Sequence, residues 1–198
     1  MSNTKTKKHP VIRGWKIFQY SVAGLVAIFL IVALALHFVF KWEYMIVSTG
    51  SMVGNQKDSL NVGTLAIARP IDFEDIKVGD IITKNVSGGN LTHRVVRIEY
   101  DENGKNLRCY TRGDAKAPNA TNILYNDPSS EDENPITKDT VITGKVIMHS
   151  DFIGKIVYTK AGKIMALGII VGVIGVFAIV SYILEKVFDD DEENEAVA

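Results

Sequence analysis

Ser51, His93 and Asp114 stand along the chain in the order nucleophile, base, carboxylate. A serine hydroxyl attacks poorly while it keeps its proton. A neutral imidazole can take that proton, and a carboxylate on the other ring nitrogen fixes the tautomer and stabilises the imidazolium. Ser51 lies in Val47-Ser48-Thr49-Gly50-Ser51-Met52-Val53-Gly54, a stretch that reads equally as a flexible spacer or as the setting of a nucleophile. The Ser51 amide is a candidate oxyanion donor with Ser48 and Thr49 as helpers, although hydroxyls there also make ordinary turn hydrogen bonds. His93 sits in the alternating run Leu91–Tyr100, and Asp114 ends the turn Arg112-Gly113-Asp114. Spacing alone leaves both readings open, because a Gly-Asp turn and a packed strand histidine are common without catalysis.

Elements on either side must hold these residues. The run from Ile17 to Phe40 has no formal charge and exceeds the length needed to cross a hydrocarbon core of about 30 Å. Gln19 and His37, near its ends, read as interfacial side chains. Ala33-Leu34-Ala35 has the form of a signal-peptide cleavage site, but the apolar run is long and continues past it, so the segment reads as an uncleaved anchor. Ile164 to Leu184 is a second uncharged apolar run, and its Gly168 and Gly172 form a GxxxG pair suited to close helix approach. The resulting organisation is a basic N-terminus over 1–16, a transmembrane helix over 17–40, a domain over 41–163, a transmembrane helix over 164–184 and an acidic tail over 185–198. Two spans put both ends on one side. The basic N-terminus, with Lys5, Lys7, Lys8, Arg13 and Lys16, assigns that side to the cytoplasm and the domain to the extracytoplasmic face.

The middle domain reads as mostly β. Short runs rich in β-branched and aromatic residues recur between Gly, Asn and Asp, among them TLAIARP, DIITKN, LTHRVVRIEY, LRCYTR and TVITGKVIM. Asp101-Glu102-Asn103-Gly104 predicts a hairpin turn. In LTHRVVRIEY, strict alternation puts His93, Val95 and Arg97 on one face and Arg94, Val96, Ile98 and Tyr100 on the other. Ala115 to Thr140, rich in Asn, Asp, Glu, Ser and Pro, reads as a long excursion out of the sheet, more a surface insertion than a substrate-facing loop. With 22 Lys+Arg against 23 Asp+Glu and no basic patch in the domain, nucleic acid is not an expected partner. There is no Cys-His metal spacing. The lone Cys109 rules out an intramolecular disulfide and reads as a small apolar strand residue.

Several ordered blocks carry a resemblance. Gly50-Ser51-Met52 is followed by an apolar strand and Lys77-Val78-Gly79-Asp80-Ile81-Ile82. Then come Thr92-His93-Arg94-Val95-Val96, Arg112-Gly113-Asp114-Ala115 and Thr143-Gly144-Lys145-Val146. Together they resemble type I signal peptidases over roughly residues 45 to 160, and His93 in place of a lysine base resembles the endoplasmic-reticulum and archaeal branch. The resemblance implies a signal-peptidase-like β fold and a membrane-bound serine endopeptidase that removes signal peptides from translocated preproteins after small residues. It implies Ser51, His93 and Asp114 as catalytic, secretory preproteins, membrane lipid and the secretion machinery as partners, and no metal or cofactor. The chain departs from the family pattern twice. Val53-Gly54 stands where proline commonly follows the Ser-Met pair, and no acid lies about six residues after Asp114, where the family commonly has a second aspartate. Asp127 is the next acid and the candidate additional carboxylate. The alternative that these departures raise is a weakened or inactive relative acting as a binding or assembly factor.

Overall fold

The computed structural model describes residues 9–87, 89–116 and 131–195 and divides the chain into two units. One unit comprises Met1–Leu34 with Ile164–Ala198, the other Ala35–Lys163.

The first unit is built on two helices long and apolar enough to cross a membrane, α1 (Pro10–Phe38) and the later α3 (Lys160–Glu195). Proline suits the first turn of a helix because its missing N–H has no partner there anyway, and α1 accordingly starts at Pro10, ahead of the apolar run. α1 ends at Phe38, two residues short of the expected boundary, whereas α3 continues past Leu184, and the acidic segment is helical as far as Glu195. Polar and aromatic groups join the two helices. Trp15 Nε1 and Gln19 Nε2 both donate to Ser181 Oγ, at 2.9 and 3.0 Å, and Lys16 pairs with Glu185 at 3.0 Å. The Trp15 ring stacks on Phe177. Gly168, Gly172 and Gly175 are not part of this contact, since a Cβ on any of them would meet nothing within 4 Å. The GxxxG face therefore does not pack on α1.

The second unit is an antiparallel sheet with one short helix. Its strands are β1 (Glu43–Ile46), β2 (Leu65–Arg69), β3 (Ile81–Val86), β4 (Gly89–Tyr100), β5 (Asn106–Arg112) and β6 (Ile142–Ser150), in the order β1-β2-β6-β3-β4-β5. The helix α2 (Asp151–Tyr158) follows β6 and is capped by Ser150, whose hydroxyl accepts from the Ile153 amide. The expected β4–β5 turn is present: Gly104 takes φ 74°, and the Asp101 carboxylate accepts from the Asn103 and Lys105 amides.

Alternation along the strands gives each face its own apolar cluster. Ile76, Ile82, Val95, Cys109 and Ile136 pack on one face; Met52, Leu60, Ala66 and Ile81 pack on the other. Cys109 is fully buried, and burial pushes its thiol up to about 12, as befits a core residue rather than a nucleophile. Among the irregularities in strand register, one in β4 changes which residues face the core. A bulge between Val95 and Arg97 inserts one residue, so Arg97 opposes Tyr110 and Ile98 opposes Cys109. Ile98, not Arg97, thus joins the core on the face of His93, while the Arg97 guanidinium lies 3.6 Å over the Tyr110 ring.

The excursion returns to the sheet in a defined way. Cys109 and Ile136 exchange both backbone hydrogen bonds at 2.8 Å, and the Asp132 amide donates to the Thr111 carbonyl at 2.8 Å. Its final part, from 131 onward, is therefore docked along β5 rather than being a free insertion.

Candidate active site

Ser51 rides on a single turn of 3-10 helix, Gly50–Met52, just after β1. Met52 is the anchor: it is buried in the core and its carbonyl accepts from the Leu60 amide at 3.0 Å. With Met52 facing inward, the half-buried Ser51 is presented outward, and its Oγ lies 3.4 Å from Thr49 Oγ1. Ser48 and Thr49 are exposed. A groove of about 320 Å3 runs past the serine, lined among others by Met45, Val47, Ser48, Thr49, Ser51 and Leu91.

His93 lies inside β4 opposite Ile82 and is buried, at 6% exposure. Its Nδ1 is 2.6 Å from Asp132 Oδ2. Its Nε2 makes no hydrogen bond, and it is the only buried side-chain polar atom among the described residues in that position. Gly113 connects this nitrogen to the serine turn. A Cβ placed on Gly113 would lie 2.5 Å from the Ser51 carbonyl oxygen and 3.1 Å from His93 Nε2. Only a residue without a side chain lets the serine turn and the free imidazole nitrogen approach the same point.

Asp114 is elsewhere. Its Oδ1 accepts from Arg94 Nε at 2.9 Å and its Oδ2 from Arg94 Nη2 at 2.8 Å, a bidentate pair, while Ser59 Oγ donates to Oδ2 at 2.7 Å. Arg94 also reaches Asp58 and the Gly79 carbonyl. The expected pairing of Asp114 with His93 is thus corrected, and the physical reason is the strand itself. Adjacent residues of β4 point to opposite faces, so His93 and Arg94 each take a different aspartate. The Arg94–Asp114 pair braces the segment that follows the nucleophile. Gly54 packs there too, where a Cβ would meet the Asp114 Cβ at 3.0 Å, which gives a reason for glycine in this position.

Asp132 is the residue that sequence reasoning missed. Besides His93, it accepts from Thr111 Oγ1 at 2.7 Å, and Lys116 lies 3.5 Å from its other oxygen. Burial alone would raise its carboxyl, but hydrogen bonds from His93 and Thr111 and the nearby Lys84 charge outweigh this and hold it below the usual range. The signal available was Ile136, the apolar residue that ends the polar excursion: an acid just before it falls beside the sheet. Asp127 lies outside the described residues. His149 is exposed on β6, opposite Ala66, in register with β2 rather than with β4. No group of three or more His, Cys, Asp or Glu among the described residues could hold a metal ion.

Chemically, the arrangement is a half-buried hydroxyl on a short turn, a buried imidazole whose unbonded nitrogen meets that turn's backbone at Gly113, and an ionised carboxylate on its other nitrogen. Compared with protein families and with curated proteins, the chain matches no family model and no curated sequence.

Proposed function

We propose that the chain is a membrane-anchored serine endopeptidase of the signal-peptidase type, cleaving signal peptides from translocated preproteins after small residues, with Ser51, His93 and Asp132 as its catalytic residues. The observation that carries this reading is the single buried imidazole nitrogen without a partner, facing Gly113 and the Ser51 turn while Asp132 holds the opposite side of the ring. The blocks that resemble type I signal peptidases surround these residues, and the two apolar helices suit an enzyme whose substrates emerge from a membrane.

In the proposed reaction an extended peptide lies in the groove beside Met45–Thr49 and Leu91, held by backbone hydrogen bonds of the kind a strand edge offers. His93 Nε2 takes the Ser51 proton as Oγ attacks the scissile carbonyl, and Asp132 stabilises the imidazolium. His93 then protonates the leaving amine. A water, deprotonated in turn by His93, hydrolyses the acyl-enzyme. The Ser51 amide, with Thr49 beside it, is the proposed oxyanion donor. The domain faces the extracytoplasmic side, and the chemistry requires no metal or cofactor.

The rival reading, an inactive scaffold that binds or assembles other proteins, drew on the missing acid after Asp114. Asp132 supplies a carboxylate from the far end of the excursion, which favours the enzyme. Co-expression of a secreted preprotein with the wild type, Ser51→Ala or His93→Ala separates the two. The mature product is expected with wild type only. Processing that survives both substitutions, or that wild type never supports, rules the peptidase out.

A further inference from the structure

Lys84 has no part in the reaction as described, yet it is 3% exposed and sits on the His93 face of the sheet. The register explains the placement. Ile82 of β3 opposes His93, so Lys84, two residues on, projects from the same face; Thr111 of β5 opposes Val95, two residues beyond His93. Its ammonium donates to the Asn134 carbonyl at 2.7 Å and to Thr111 Oγ1 at 3.2 Å. Burial pushes this lysine down while Asp132 opposes the shift.

Donor and acceptor bookkeeping gives this chain of contacts a direction. An ammonium has three donors and no acceptor, so the Thr111 oxygen must accept from Lys84. The one hydroxyl hydrogen then goes to the remaining neighbour, Asp132 Oδ2, at 2.7 Å. An ionised carboxylate only accepts, so His93 must donate to that same oxygen from Nδ1. The proton on Nδ1 leaves the lone pair on Nε2, the nitrogen that faces Gly113 and the Ser51 turn. A protonated Asp132 would invert this order, donating to Nδ1 and leaving the proton on Nε2. We propose that Lys84 and Thr111 are positioning residues that keep Asp132 ionised and oriented, and so hold His93 in the tautomer with its lone pair toward Ser51.

Among the described residues, the other charges near the pair are accounted for. Lys116 approaches the second Asp132 oxygen but is exposed, Glu131 is paired with Arg97, and Arg94 is bound to Asp114 and Asp58. Arg112, buried on β5, is in register with Arg94. Lys84 is the buried cation linked to Asp132 through a shared hydroxyl.

The proposal rests on the catalytic reading for its consequence but not for its direct readout. The test uses the full chain in lipid nanodiscs, as wild type, Lys84→Met, Lys84→Arg, Thr111→Val, Thr111→Ser and, as a surface-charge control, Lys116→Met. The ring-nitrogen NMR shifts of His93, assigned with His93→Gln, report the tautomer. Processing of a preprotein reports the rate against pH. In Lys84→Met and Thr111→Val we expect loss of the pure Nδ1–H signature and a kcat about tenfold lower with KM kept, the size of one charge-assisted hydrogen bond. The acid limb of the pH–rate profile moves to higher pH. Thr111→Ser and Lys84→Arg recover most of the loss, and Lys116→Met changes little. If Lys84→Met and Thr111→Val keep the wild-type tautomer and pH profile, or if the conservative variants recover nothing, the proposal is overturned. A wild type that processes no preprotein, but whose tautomer responds to these substitutions, supports the positioning and sinks only the peptidase reading.

Discussion

At the residue scale, two aspartates compete for the role of orienting carboxylate, and their partners assign them different work. Asp132 holds His93; Asp114 holds Arg94 and the Ser59 hydroxyl. Asp114→Asn is expected to cost stability, near the lower end of the roughly 3–5 kcal/mol for breaking a buried pair because Asp58 still serves Arg94. Denaturant titration of the folded chain measures it. Gly113→Ala tests the approach of serine and imidazole: its Cβ would meet the Ser51 carbonyl oxygen, a backbone atom, at 2.5 Å. A displacement of about 1 Å costs about 100-fold in rate, so kcat for preprotein processing should fall by that order while circular dichroism remains native. Ser51 and His93, the proposed nucleophile and base, could be picked out by their chemistry and flanking blocks. Asp132 was not, because the intervening excursion removes the fixed spacing by which a carboxylate is recognised.

At the element scale, the site depends on how one strand and one returning segment are registered. The alternating pattern of β4 was legible and assigned His93 and Arg94 to opposite faces; the bulge after Val95, which moves Ile98 into the core, left no mark in the pattern. The segment from 131 to 136 reads as loop by composition, yet it is fixed to β5 through the Cys109–Ile136 bridge. Ile136 is fully buried, so Ile136→Ala should cost about 2–5 kcal/mol and loosen Asp132 with it, lowering kcat as well as the unfolding midpoint. The same docking has a pH signature. The Asp132 carboxyl lies below its ordinary value in the folded chain, so the unfolded chain binds that proton more readily. Its stabilisation is complete above the unfolded value of about 3.9 and fades as pH falls through the folded one. Asp132→Asn should flatten this part of the acid limb in denaturant titrations carried below about pH 4.

At the scale of the whole molecule, two apolar helices and a β domain were legible, since uncharged runs of membrane length and period-2 strands are strong local signals. The contact between the helices was less so. The GxxxG pair suggested glycine packing, whereas Trp15, Gln19 and Ser181 make the contact, because an unpaired polar group in an apolar medium is costly. The proposed orientation rests on the basic N-terminus: protease added outside sealed, right-side-out vesicles should digest the 41–163 domain and leave the spans, and a protected domain would reverse the topology.

The central claim is that Ser51, His93 and Asp132 act as one unit, and the most direct measurement is kcat for a purified preprotein with Asp132→Asn beside Asp114→Asn in the whole 198-residue chain. An aspartate-to-asparagine change at the orienting carboxylate of a Ser-His-Asp triad lowers kcat by about 10,000-fold, so that loss is predicted for Asp132→Asn, against less than about tenfold for folded Asp114→Asn. Equal losses, or a greater loss at Asp114, would contradict the account.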